Sequence, residues 1–199
     1  DLASLYIFGA DANNNSLDLG AQYTLDLLNK FQLSREDYTA IFSYCREKNI
    51  IPLCTPWDES SVDFLESFEF EAFKVASADM TNDVLLNRLA HTGTDLIVST
   101  GMAAEIEIDH MISLLNRKDV RYALLHCNST YPAPYHSINL KYLDELKEKS
   151  RYRLVGYSGH ERGFEVPIAA VAMGAKIIEK HITTDRSLEG NDHRVSLLP

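Results

Sequence analysis

The chain has little of what would support several common readings. Its 199 residues hold only three cysteines, Cys45, Cys54 and Cys127, with no C-x-x-C spacing. That argues against a disulfide scaffold and suits reduced thiols in a cytoplasmic protein. No run of eighteen apolar residues occurs, so no membrane span is expected. The opening Asp1-Leu-Ala-Ser lacks a basic region followed by an apolar stretch, so no signal peptide is expected either. Cations are few: 19 Lys and Arg face 29 Asp and Glu, a net charge of -10. A nucleic-acid surface needs clustered Lys and Arg, so that partner is not expected, whereas a small anion held by a few local cations is compatible. No G-x-G-x-x-G follows any apolar run, so a dinucleotide site lacks its fingerprint.

What the chain does have is rhythm. With 45% hydrophobic composition, 199 residues can bury one substantial core. Residues 1–15 read as loop and 16–31 as a modest helix. Ser34, with Asp37 three residues on, starts a helix to about Lys48 with Tyr38, Ile41, Phe42 and Cys45 as its apolar stripe. Strands are then predicted over 50–55, 72–77, 95–100, 121–127, 153–158 and 175–183. Helices are predicted between them over 60–67, 82–92, 103–116, 139–149 and 166–173. Six strands alternating with helices imply a parallel α/β architecture with right-handed crossovers. An open doubly wound sheet and a (β/α)8 TIM barrel both fit that rhythm.

Polar residues decide between them. Thr55, Ser77, Ser99, Thr100, His126, Ser158, His160 and His181 fall at the C-terminal ends of the predicted strands, where a barrel carries its active site. Six strands are two short of a barrel. His160 and His181 end successive strands and could share one divalent ion, with Glu179 and Asp192 close in sequence. Period-two alternation puts Glu179 on the face of His181 and turns Lys180 away. Lys74 interrupts an apolar strand and is either a snorkelling lysine or a cation aimed at an anion. Lys74 and Ser77 reach one site only if that strand ends near Ala76. Ser99-Thr-Gly101, ahead of a helix, is a weak phosphate-cradle signal. Asn128-Ser-Thr-Tyr131-Pro-Ala-Pro134 is a proline-stiffened loop that can hold an aromatic ring in place.

These residues also carry a resemblance. Thr55-Pro-Trp-Asp58, Phe73-Lys-Val-Ala-Ser77, Ser99-Thr-Gly-Met102, Leu125-His-Cys-Asn-Ser-Thr-Tyr-Pro-Ala-Pro134, Gly156-Tyr-Ser-Gly-His-Glu161, Ile178-Glu-Lys-His181 and Gly190-Asn-Asp-His193 occur in that order. From about Leu33 to Pro199 the chain resembles the sialic acid (N-acetylneuraminate) synthase family, which includes the legionaminate and pseudaminate synthases. The resemblance implies a TIM barrel and a transferase of carbohydrate biosynthesis. Such an enzyme condenses phosphoenolpyruvate with the open-chain aldehyde of an N-acylated amino sugar of the N-acetylmannosamine type, giving a nine-carbon 2-keto acid and phosphate. It implies His160 and His181 as ligands of a divalent metal, Mn or Mg, and Asp192 as a contact to sugar or water. It implies Thr55, Lys74, Ser77, Ser99, Ser129, Tyr131 and Ser158 as the phosphoenolpyruvate site.

Two positions depart from common family patterns: Gly159 stands where Asp often precedes the first metal histidine, and Ser129 where some members have Asn. The family's first two strands and its C-terminal antifreeze-like domain have no counterpart here. Residues 1–199 are therefore expected to be a partial synthase domain of a longer chain that forms a homodimer. The competing expectations are a catalytically incomplete piece that only binds ligand or metal, and another metal-dependent barrel aldolase or hydrolase.

Overall fold

The computed structural model describes residues 29–190 and 192–199. The expected loop over 1–15, and the expected helix up to residue 28, lie outside them. The chain divides into two compact units, Asp1–Pro52 and Leu53–Pro199. In the first, helix α1 (Arg35–Glu47) opens on the predicted capping box: the Asp37 N–H donates to Ser34 Oγ at 3.1 Å, and the Ser34 N–H donates to the Asp37 carboxylate at 3.0 Å. That pairing satisfies two otherwise orphaned donors and holds the Asp37 carboxyl below its usual range. Of the predicted stripe, Phe42 is buried, Tyr38 and Cys45 are half-buried, and Ile41 is exposed.

The second unit carries the repeating pattern. Helix α2 (Glu59–Glu66) is capped by Asp58, which accepts from the Ser61 N–H at 2.6 Å. Then follow β1 (Ala72–Val75), α3 (Asp83–His91), β2 (Asp95–Ser99), α4 (Glu105–Arg117), β3 (Tyr122–Cys127), α5 (Tyr142–Lys149), β4 (Val155–Gly159), α6 (Glu165–Ala172) and β5 (Ile177–Lys180). Among the described residues the five strands form one parallel sheet in chain order, β1-β2-β3-β4-β5. A doubly wound sheet would show a reversal of that order. Without one, right-handed crossovers place every connecting helix on the same face, and the sheet curls into a parallel half-barrel.

Register shows the curl directly. Lys74, Ile97 and Ala123 pair across β1 to β3; Ser99, Leu125, Gly156 and Ile177 pair across β2 to β5; Cys127, Ser158 and Glu179 pair across β3 to β5. These are rows of one sheet face, stepped by two residues, so Lys74, Ser99 and Cys127 climb diagonally as they do in a barrel wall. Residues of β3 and β4 are buried throughout, as expected for parallel strands covered on both faces. No described helix is long and apolar enough to cross a membrane.

Three expectations need correction. The strand over 50–55 is reduced to one bridge, Cys54 to Phe73, with the Lys74 N–H donating to the Cys54 carbonyl at 3.1 Å. Pro52 brings no donor and Leu53 is exposed, so the ladder is not extended. The final strand is shorter than predicted: β5 stops at Lys180, and Ile182 makes a separate bridge to Leu197. His126, placed at a strand end by sequence, faces the helical layer. Its ring lies 5.5 Å from that of Tyr142 and 6.0 Å from that of Tyr157. Its Nε2 is buried without a partner, and burial pushes its pKa down to about 4.

Candidate active site

A cavity of about 490 Å³ opens at the C-terminal ends of the strands. All ten site residues that the family resemblance implies line it: Thr55, Lys74, Ser77, Ser99, Ser129, Tyr131, Ser158, His160, His181 and Asp192. The condition set for Lys74 and Ser77 is met, because β1 ends at Val75 and Ser77 opens a short 3-10 turn.

Lys74 dominates one side. Its ammonium donates to the Val75 carbonyl at 2.7 Å and to Ser99 Oγ at 2.8 Å, and it lies 3.6 Å from Glu179 Oε2. Ser99 Oγ in turn donates to Glu179 at 3.3 Å. Burial lowers the Lys74 pKa below its ordinary 10.5, while the neighbouring Glu179 carboxylate works in the opposite direction. The Lys74 side chain is thus a buried cation at the cavity wall with a partly exposed counter-ion. Alternation puts Glu179 on the face of His181; its carboxylate is turned toward Lys74 and Ser99.

The cradle reading of Ser99-Thr-Gly101 also changes. The Gly101 N–H donates to Ser77 Oγ at 3.0 Å, and Thr100 Oγ1 donates to the Leu125 carbonyl at 3.1 Å. Helix α4 begins only at Glu105, and the Glu107 carboxylate already accepts from the Ala104 N–H at 2.7 Å. The helix start is internally capped. Gly101 has a different role: a Cβ there would lie 2.6 Å from Ser129 Oγ and 2.8 Å from Cys127 Sγ, so glycine lets this loop press against the end of β3.

The imidazoles occupy the other side. His160 is buried, and its Nδ1 lies 2.8 Å from the Asn128 carbonyl. A carbonyl only accepts, so Nδ1 carries the proton and a neutral His160 presents its Nε2 lone pair, which receives the Tyr131 hydroxyl at 2.7 Å. Burial opposes charging His160, yet the Cys127 thiol at 3.6 Å and the Asn128 carbonyl together hold its pKa above the usual value. Burial and acidic neighbours push the Tyr131 phenol up to about 12, so Tyr131 is a neutral donor. The His181 ring lies 5.4 Å from that of His160 and 5.8 Å from that of Tyr131. Burial lowers the His181 pKa; the Asp192 carboxylate, 4.0 Å from Nδ1, pulls the other way, and protonating His160 pushes it further down. His193, also a sequence candidate, is committed to Thr183 Oγ1 at 2.8 Å.

The donor set was tested against a divalent ion. A backbone carbonyl that fixes Nδ1–H leaves the Nε2 lone pair as the acceptor a ligating imidazole presents; here it is turned to the Tyr131 hydroxyl, and a second imidazole lies alongside. No group of three or more His, Cys, Asp or Glu side chains assembles among the described residues. His160 and His181 therefore fit an ion that takes its remaining ligands from water or substrate.

Sequence reasoning missed several lining groups. Trp57 and Met102, both more than half exposed, border the cavity with apolar surface. Lys180, read as outward-facing, also lines it and forms a buried pair with Glu161 at 2.9 Å.

A curled parallel sheet with a lysine and two imidazoles at its C-terminal rim defines an α/β chain of the half-barrel kind. Comparison with known proteins gives the family: the NeuB family model matches residues 7–199, and the chain belongs to that family. It is 38% identical over 178 residues to N,N'-diacetyllegionaminic acid synthase of Campylobacter jejuni, covering 88% of this chain and 53% of that protein. It is 33% identical over 168 residues to N-acetylneuraminate-9-phosphate synthase of Homo sapiens, covering 84% of this chain and 47% of that protein. A crystal structure of N-acetylneuraminic acid synthetase from Leptospira borgpetersenii in complex with citrate superposes with a TM-score of 0.86 at 35% identity, covering 89% of this chain and 62% of that one. The chain thus spans about half the length of the curated relatives it matches.

Proposed function

We propose that this chain carries most of the active-site wall of a synthase that joins phosphoenolpyruvate to the aldehyde of an N-acylated amino sugar, releasing phosphate and a nine-carbon 2-keto acid. The observation that carries the reading is the convergence on one cavity of the ten residues the resemblance implies, a buried lysine and two imidazoles among them. The complete site belongs to a (β/α)8 barrel in which β5 is the eighth strand, in a cytoplasmic homodimer.

Lys74 and the hydroxyls of Thr55, Ser77, Ser99, Ser129 and Ser158 bind the phosphate and carboxylate of phosphoenolpyruvate by charge-assisted hydrogen bonds. Held there, the enol methylene carbon attacks the aldehyde carbon, and the aldehyde oxygen becomes the new hydroxyl. Water adds to the adjacent carbon and phosphate leaves with C–O cleavage. Tyr131, protonated at neutral pH, donates to a substrate oxygen once it leaves His160 Nε2. Asp192 holds the sugar or the attacking water beside His181. A divalent ion on His160 and His181, Mn or Mg, supplies Lewis-acid polarisation of the aldehyde oxygen when bound.

Phosphate release from phosphoenolpyruvate and N-acetylmannosamine, read in the presence of Mn(II), tests the reaction class. In His181→Ala, Mn(II) binding and turnover are expected to disappear together; turnover retained with unchanged metal content overturns the assignment.

A further inference from the structure

Directly behind the two imidazoles lies a sealed polar knot that the reaction does not require. The Glu161 side chain is 0% exposed and that of Lys180 7%. The Lys180 ammonium donates to Glu161 Oε1 at 2.9 Å and to the Glu161 backbone carbonyl, while the Tyr157 hydroxyl donates to Glu161 Oε2 at 2.6 Å. A buried ion pair is weak as a stabiliser, because desolvating both charges offsets most of their attraction. Its placement is informative instead. Glu161 directly follows His160 in the chain, and Lys180 directly precedes His181. Lys180 pairs with Gly159 in the sheet register, so the bond from Lys180 to Glu161 crosses from the end of β5 to the end of β4.

Gly159 belongs to the same device. A Cβ at 159 would lie 2.7 Å from the Tyr157 ring and 2.8 Å from Glu161 Oε2. Only an absent side chain lets the Glu161 carboxylate fold back against its own strand. The loop on the far side is fixed as well, since the Ala133 N–H donates to the His160 carbonyl at 3.0 Å.

We propose that the Glu161–Lys180 pair, braced by Tyr157 and admitted by Gly159, is a positioning clamp that sets the separation and orientation of the His160 and His181 rings. Glu161 and Lys180 are positioning residues: they act through the imidazoles and touch no reacting atom. An ion pair between the residues next to the two histidines ties the strand ends from which both imidazoles rise, and such support holds a working side chain in place. The proposal rests on the reading of His160 and His181 as the working pair.

The test is the neutral double variant Glu161→Gln with Lys180→Met in the intact protein, read in two ways. In the metal-free protein, the imidazole NMR resonances of His160 and His181 are expected to shift and broaden while the melting temperature stays within a few degrees. In the second reading, the Kd for Mn(II) is expected to rise at least tenfold. Resonances and affinity both equal to wild type overturn the clamp. If wild-type protein binds no Mn(II), the metal reading fails, and the metal-free resonances alone decide the clamp. Should the double variant not fold, Tyr157→Phe removes only the phenol donor. A smaller change in the same His160 and His181 signals then supports the clamp, and unchanged signals overturn it.

Discussion

Two lysine–glutamate pairs sit on the same curled sheet, and they are built to opposite ends. Lys74 and Glu179 are 3.6 Å apart, with the glutamate side chain 42% exposed and a serine hydroxyl between them. Lys180 and Glu161 are 2.9 Å apart and closed to solvent. The open pair leaves its lysine a loose counter-ion that an incoming phosphate or carboxylate can replace, regaining the cost of burying the ammonium. The sealed pair is held by its own partners, Tyr157 and the Glu161 carbonyl. The same two residue types therefore serve exchange in one pair and fixation in the other, although Glu179 and Lys180 are neighbours on β5.

The comparison breaks most visibly at the sealed end. Glu161→Leu leaves Lys180 buried without its counter-charge, and about 3–5 kcal/mol of stability is expected to be lost, measured by denaturant unfolding. Lys74→Met should do the reverse: kcat/KM for phosphoenolpyruvate falls by about 10²–10³-fold, while stability holds or rises because a buried charge is gone. Similar losses of stability in the two variants would erase the distinction.

A pH series sharpens it further. Burial holds Lys74 below 10.5, so anion affinity is expected to fall as pH rises through that lowered value. Stability moves with the opposite sign. Between the lowered folded pKa and 10.5 the unfolded chain binds more protons, so unfolding free energy rises with pH relative to Lys74→Met. The smallest effect is expected from Glu179→Gln: under about 1 kcal/mol in stability, as for other partly exposed pairs. Glu179 raises the Lys74 pKa, so its loss moves the alkaline limb of phosphoenolpyruvate binding to lower pH. A limb that stays in place would show that Glu179 does not act on Lys74.

The sequence displayed the scaffold where local signals were strong. Strands at 72, 95, 121 and 153 are apolar runs between turn residues and were placed within about two residues of β1 to β4. The run at 50 looked the same, yet a strand also needs a neighbour to continue its ladder, and only Cys54 has one. The site was legible because polar residues at strand ends stand out against burial. The clamp was not. Glu161 lies in the polar run Ser158-Gly-His-Glu-Arg-Gly163, which reads as solvated, and its burial depends on a lysine nineteen residues later. Alternation turns Lys180 away from Glu179, and nothing in the local pattern shows the distant Glu161 that closes over it.

Gly159 turns this geometry into a constraint on how the chain can change. The volume a side chain would need at 159 is filled by the Glu161 carboxylate and the Tyr157 ring, so the two positions are not free to vary independently. Gly159→Ala is expected to be damaging alone and milder in a chain that already carries Glu161→Ala, a non-additivity that a double-mutant cycle measures. A side chain before His160 displaces both the carboxylate after it and the Tyr157 ring, so position 159 is tied to the two residues that fill its space.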